Sequence, residues 1–170
     1  KPSAFSCAKY TELYPRFIVP PTKGDDDIMQ KRHIDLGELY DLFQERTDCF
    51  FVLCDIKHMI RINDISRKAG DLAILEQMRR MTAASGENDI VFRIGGYEFC
   101  ILTDSSDPAY AEQIAASIRS MNGDSFSYEN QAIPLHLHVT TVRLKDCNRC
   151  DEVFAGLHNA IKDGKMSLSK

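Results

Sequence analysis

The chain of 170 residues is 44% apolar and 27% charged, the balance of one ordinary globular domain. Its formal net charge is −4, Trp is absent and the densest charge run is Asp25-Asp26-Asp27, which argues against a nucleic-acid partner; such a partner calls for a basic stripe interleaved with aromatics. No apolar run approaches the roughly 18 residues that cross a bilayer and no secretory leader pattern opens the chain, so no membrane contact and a cytoplasmic setting are expected.

Lys1 in place of a starting Met predicts a piece of a longer protein. Residues 1–32 hold Pro2, Pro15, Pro20 and Pro21 with the loop-forming Thr22-Lys23-Gly24. They predict an arm or linker, with a short strand at most over Arg16-Phe17-Ile18-Val19, ahead of a domain over 33–170. A helix is expected over 34–46, opened by Asp35 with Glu38 and carrying Leu36, Leu39 and Phe43 on one face. The apolar run Cys49-Phe50-Phe51-Val52-Leu53-Cys54 predicts a central strand buried on both faces. A helical stretch follows, broken near Arg67-Lys68-Ala69-Gly70 and continuing to residue 84. Its apolar stripe is Ile74, Met78 and Met81 beside Leu75 and Thr82.

Ile90-Val91-Phe92-Arg93-Ile94, Gly95-Gly96 and Phe99-Cys100-Ile101-Leu102 predict a β-hairpin whose two glycines supply positive φ at the turn. Asp107 predicts a helix cap ahead of Pro108, with Tyr110, Ile114, Ile118 and Met121 facing inward and Asn122-Gly123 as the stop. Strands are expected over 124–129 and 133–144. In the second, Leu135, Leu137 and Val139 face one way and His136 and His138 the other. A last helix over 150–163 carries Val153, Leu157 and Ile161 on its buried face. Strand, crossover helix, hairpin, helix and returning strand make an α+β, ferredoxin-like fold: a mainly antiparallel central sheet surrounded by helices.

Two blocks carry the chemistry. One is the hairpin from Phe92 to Leu102, with Gly95-Gly96-Tyr97-Glu98-Phe99 at its centre. The other starts with Cys54-Asp55-Ile56 at the first strand's end and runs through Ile62-Asn63-Asp64 to Gly70-Asp71. At this separation and on these elements, they resemble the GGDEF family of diguanylate cyclase domains over residues 35–166. The resemblance implies a nucleotide-cyclase palm in a bacterial signalling protein. The family reaction joins GTP molecules into cyclic di-GMP: a 3′-hydroxyl attacks an α-phosphate and pyrophosphate leaves. Divalent metals offset the phosphate charge there, and carboxylates hold the metals. By resemblance, Asp55 supplies one carboxylate and Ile56 a backbone carbonyl to the metal. Asn63 and Asp71 match the pair that reads guanine, whose edge an amide and a carboxylate complement.

Several positions depart from the family. Its second metal carboxylate is the third signature residue, here Tyr97; a phenol, with a reference pKa of about 10, is a poor ligand for Mg²⁺ at neutral pH. Lys57 replaces the second aspartate of the strand end, and Met59-Ile60 replaces Phe-Lys. Glu98 is kept, but strand alternation points it away from residue 97. The loop from Asn63 to Asp71 is one residue short, with Ser66-Arg67 in place of Gly-His. Gly86-Glu87-Asn88-Asp89 stands at the product-inhibition site, Arg-x-x-Asp in the family, without its arginine. Ala160-Ile161-Lys162-Asp163-Gly164-Lys165 keeps a final base but loses the lysine of Ala-Lys-x-x-Gly-Arg, and no Leu-Thr-Gly-Leu entry stands at Asp35-Leu36-Gly37-Glu38. These departures imply a degenerate GGDEF domain without cyclase activity, acting as a regulatory, nucleotide-sensing or protein-interaction module. The alternative is an active cyclase with an altered metal site. Mg²⁺ is expected only where nucleotide binding is kept, and no other cofactor is. The partners implied are GTP or another purine nucleotide, other domains of the parent protein and a second copy in a homodimer.

Other readings of the same residues stay open. Asp55 fits a helix cap as well as a metal ligand, and Asn63-Asp64 and Gly70-Asp71 fit turn and cap positions as well as nucleotide contacts. Tyr97 fits an exposed or partly packed hairpin aromatic, or a ring stacked on a purine. Cys147-Asn148-Arg149-Cys150 has the spacing of half a zinc ribbon, but a structural zinc takes four ligands and no second pair exists. His136 and His138 have a metal-compatible spacing, against a plain, partly exposed sheet face. The six cysteines, with Cys49, Cys54 and Cys100 in apolar stretches, are expected to be reduced.

Overall fold

The computed structural model describes residues 45, 46, 48–145 and 159. β1 (Asp48–Ile56) leads into a short helix α1 (Met59–Ile65) and a longer α2 (Arg67–Ala84). β2 (Ile90–Gly95) and β3 (Glu98–Leu102) form the hairpin. The order closes with α3 (Pro108–Ser120), the small pair β4 (Ser125–Tyr128) and β5 (Gln131–Pro134), and β6 (Leu137–Lys145). The arm expected over 1–32 lies outside the described residues. So do the helix expected over 34–46 apart from Glu45 and Arg46, the helix expected over 150–163 apart from Asn159, and Cys147, Cys150 and Lys165.

β1 is central because every residue from Cys49 to Ile56 can be buried, and is. The main sheet runs β2-β3-β1-β6 with every pairing antiparallel, the α+β, ferredoxin-like arrangement expected from the element order. Alternation along β1 splits its side chains between two faces. Phe50, Val52, Cys54 and Ile56 gather into one cluster with Ala69, Ala73 and Met81 of α2 and Ala111, Ile114, Ala115 and Ile118 of α3. Alanines at these contacts let both helices lie close to the sheet. Phe51 and Leu53, on the other face, are also buried. Each such Val, Leu, Ile or Phe adds roughly 1.5–3 kcal/mol over an exposed one.

The helix break falls at Ser66, not over 67–70. Ser66 is extended and its Oγ accepts from the Ala69 N–H at 3.1 Å, a serine cap that starts α2 and leaves Gly70 inside the helix. The buried face of α2 is Ala69, Gly70, Ala73, Gln77, Arg80 and Met81, so Ile74 and Met78 flank the contact instead of leading it. In the hairpin, Gly95 stays in β2 and Gly96 takes the positive φ of 50°, with an irregular register between Arg93 and Gly95. The strand expected over 133–144 is two strands in two sheets. The chain leaves the first at Leu135, whose N–H donates to Asp124 and whose carbonyl accepts from Gly123. His136 is therefore exposed in the connection while His138 is buried in β6, and the two do not share a strand face.

Asp107 caps α3 as expected, accepting from the Ala109 N–H at 2.9 Å with Pro108 in the first turn. Cys49, Cys54 and Cys100 are buried and form no disulfide, and burial pushes all three thiols up. Among the described residues, no helix is long and apolar enough to cross a membrane.

Candidate functional site

The end of β1 and the tip of the hairpin meet. The Ile56 N–H donates to the Tyr97 carbonyl at 3.1 Å, and Asp55 sits directly opposite Glu98 in the β1–β3 register. Gly96 and Tyr97 make the turn between Gly95 and Glu98, and Phe99 continues into the core opposite Cys54. On its other side Asp55 faces His138 of β6. Directly opposed residues share a sheet face, so Glu98, Asp55 and His138 form a polar row across three strands. Asp55 and His138 are both buried. The sequence reading missed this row; the hairpin register could have revealed the Asp55–Glu98 half of it.

Asp55 is not a helix cap. The residue capping α1 is His58, in a left-handed conformation with φ 57° and without a side-chain cap bond. Its ring meets that of His136 edge-on, with centroids 6.4 Å apart. Asn63 and Asp64 lie within α1, and Gly70 and Asp71 within α2, so none of the four is a cap or turn residue.

Tyr97 is partly buried and packs against the core cluster. Its hydroxyl accepts a hydrogen bond from Nδ2 of Asn63 at 3.2 Å. Behind Asn63 stands Gly70: a Cβ there would lie 1.9 Å from Asn63 Oδ1 and 3.1 Å from its Cγ. The carboxamide is thus held between a bare backbone and a phenol. Asp71 follows on the exposed side of α2, and its carboxylate acts electrostatically on the Arg93 guanidinium together with the Tyr97 phenol. Burial pulls the pKa of Arg93 down, and those two groups oppose the pull. Arg93 also donates to the Gly96 carbonyl, from Nε at 2.8 Å and from Nη2, which ties it to the turn.

The donor set does not match a site for divalent metals built on two carboxylates, Asp55 and residue 97. At 97 the only side-chain oxygen is a phenol that already accepts from Asn63. Among the described residues, no group of three or more His, Cys, Asp or Glu is placed to hold a metal ion. Lys57 follows Ile56 and gives its N–H to the His136 carbonyl at 2.8 Å, while Ile60 is 75% exposed.

Asp89 has a different setting. It is buried; Oδ2 accepts from the Gly86 N–H at 2.6 Å and from the Tyr110 hydroxyl at 2.7 Å, and Oδ1 accepts from the Asp104 N–H at 2.9 Å. A Cβ at Gly86 would lie 2.2 Å from the Tyr110 hydroxyl. Burial and then the bond to Asp89 push the Tyr110 hydroxyl up to about 12. The carboxylate ties together the loop after α2, the end of β3 and the first turn of α3.

A four-stranded antiparallel sheet, a glycine hairpin beside the end of its central strand and two helices on one face define a nucleotide-cyclase palm. Residues 34–167 match the family described as diguanylate cyclase, GGDEF domain, and the chain belongs to that family. The probable diguanylate cyclase DgcJ of Escherichia coli (strain K12) is 32% identical over 109 residues, 64% of this chain and 20% of that protein. The chain thus spans about one fifth of that curated relative's length. An EAL/GGDEF domain protein from M. capsulatus superposes with a TM-score of 0.66 at 19% identity, over 87% of this chain and 94% of that one. The diguanylate cyclase SiaD from Pseudomonas aeruginosa, solved in complex with its activator SiaC, gives 0.65 at 18% identity, over 84% of this chain and 53% of that one. At these identities the structural likeness speaks for the fold alone.

Proposed function

We propose that this is a degenerate GGDEF domain that does not make cyclic di-GMP and serves as a regulatory module of a larger cytoplasmic signalling protein, with residues 33–170 as the domain and 1–32 as its arm. The observation that carries this reading is the Tyr97–Asn63 hydrogen bond. At the position where the family places a metal carboxylate, this chain has a neutral group engaged with another side chain of its own. Lys57 adds positive charge beside Asp55 and Ile56, where a cation would sit, and the exposed Ile60 stands where the family has the lysine of Phe-Lys. By the family resemblance Asn63 and Asp71 stand at the purine-reading positions, so the module's ligand is a purine nucleotide. Any Mg²⁺ would come only with the phosphates of such a nucleotide, where Asp55 and the Ile56 carbonyl are the groups that would meet it.

Purified protein incubated with GTP and Mg²⁺ or Mn²⁺ should form no cyclic di-GMP above the level of an Asp55→Ala control. Product that Asp55→Ala abolishes would overturn the proposal. It would favour the second reading, an active cyclase with altered metal use, for which Glu98 is the pertinent residue: it faces Asp55 across the strands and offers a second carboxylate.

A further inference from the structure

We infer that Tyr97 is a built-in occupant of the base pocket, an intrachain cap that a purine must displace before Asn63 can read it. The inference rests on the reading of Asn63 and Asp71 as the purine-facing pair, and it adds how that pair is controlled. An amide reads a base by offering Nδ2–H to an acceptor on its edge. In this chain Nδ2 gives one of its two hydrogens to the Tyr97 hydroxyl, 3.2 Å away. The amide cannot easily turn aside, because its Oδ1 and Cγ lie against the bare backbone of Gly70. The other member of the pair, Asp71, faces the charge of Arg93, which is tied to the Gly96 carbonyl in the same turn as Tyr97. Asn63 is therefore engaged by a residue of the hairpin, and the charge of Arg93 in the same hairpin acts on Asp71.

The hairpin has the means to let go. Tyr97 is only partly buried, and its turn is the irregular part of the β2–β3 ladder, with a register shift between Arg93 and Gly95. A ligand that supplies an acceptor for Asn63 replaces the Tyr97 contact, and donors on the same edge add a bond to Asp71 that an edge without them does not make. The cap therefore sets a threshold for binding and selects for a base that presents both, as guanine does. A displaced phenol also changes the shape of the hairpin tip, which gives the module a signal to pass on.

The test uses GMP, which has the base but no triphosphate, titrated by calorimetry without divalent metal against wild type, Tyr97→Phe, Tyr97→Ala and Tyr97→Ala/Asn63→Ala. Tyr97→Ala should bind GMP about tenfold more tightly than wild type, a difference of about 1.4 kcal/mol. Tyr97→Phe, which frees the amide but keeps the ring, should fall between them, and the double variant should lose the gain. Equal affinity for wild type, Tyr97→Phe and Tyr97→Ala would overturn the inference, and so would GMP binding by none of them. Should the alanine variant fail to fold, Tyr97→Phe against wild type still decides, because its ring preserves the packing on the core. Cyclic di-GMP formation by wild type would sink the non-cyclising reading while leaving this comparison intact. A flat GMP series alone would leave that reading standing.

Discussion

The missing side chain at Gly70 decides where Asn63 can lie. Glycine within a helix costs about 1 kcal/mol relative to alanine, so Gly70→Ala should stabilise an unconstrained α2. Here the new Cβ would fall 1.9 Å from Asn63 Oδ1, a separation that no packed carbon tolerates. The carboxamide must rotate or α1 must shift, and such overpacking costs about 1–3 kcal/mol. Urea unfolding should therefore show Gly70→Ala less stable than wild type by about 1 kcal/mol net of the helix gain, and the Asn63 side-chain amide resonances should move. A variant as stable as wild type, with unmoved amide signals, would show that Gly70 imposes no such constraint. The sequence made Asn63, Gly70 and Asp71 visible as a set through their order. It could not display the bond to Tyr97, which depends on how a hairpin 34 residues further along the chain is laid over α1.

At the level of elements, α2 shows why periodicity reads incompletely. An apolar stripe through Ile74, Met78 and Met81 is the natural choice, yet the face against the sheet includes Gln77 and Arg80. Arg80 is almost fully buried because it has polar partners inside: Nε donates to Glu76 at 2.8 Å, Nη1 to the Met121 carbonyl at 3.1 Å and Nη2 to the Asp124 carbonyl at 2.9 Å. It clamps α2 to the end of α3 and to the start of the small β4–β5 pair. Hydrogen bonds from Arg79 and then Arg80 hold the Glu76 carboxyl below its usual range, although burial opposes them. Arg80→Met keeps the length of the stem but takes one donor each from two carbonyls and a carboxylate, which retain the Asp124 N–H, the Leu135 N–H and Arg79, and should cost about 1–3 kcal/mol by urea unfolding. Arg79→Met, at an exposed pair with the same Glu76, should stay within about 1 kcal/mol of wild type. Equal losses in the two variants would contradict the clamp.

For the molecule as a whole, the element order and the two motif blocks were enough to specify the sheet and its family. The unbroken apolar run of β1 marked it as the central strand, and the glycine pair marked the hairpin. Side-chain partners that come from separate elements were not legible, and neither was the break at Leu135 between two sheets: an unbroken apolar alternation looks the same whether or not the strand changes partner. The pH dependence of stability is another property of the assembled molecule. The Tyr110 hydroxyl is raised to about 12 in the folded protein, above the roughly 10 of an unfolded phenol. Its contribution is therefore complete below the unfolded value and drains away as pH climbs towards the folded one. In urea unfolding at stepped pH, the stability gap between wild type and Tyr110→Phe should narrow from about pH 9 to about pH 12. A constant gap would mean that the Tyr110–Asp89 bond does not govern the alkaline limb.

The same knot of residues bears on what position 86 can hold. Gly86 occupies the place that the family gives to the arginine of its product-inhibition site, and any side chain there runs into the Tyr110 hydroxyl. The aspartate of that site, Asp89, is already committed to three donors inside the domain. An arginine placed at 86 would displace the Tyr110 hydroxyl and so take a partner from Asp89, which means that Arg-x-x-Asp at this loop competes with the knot that now ties β3 to α3.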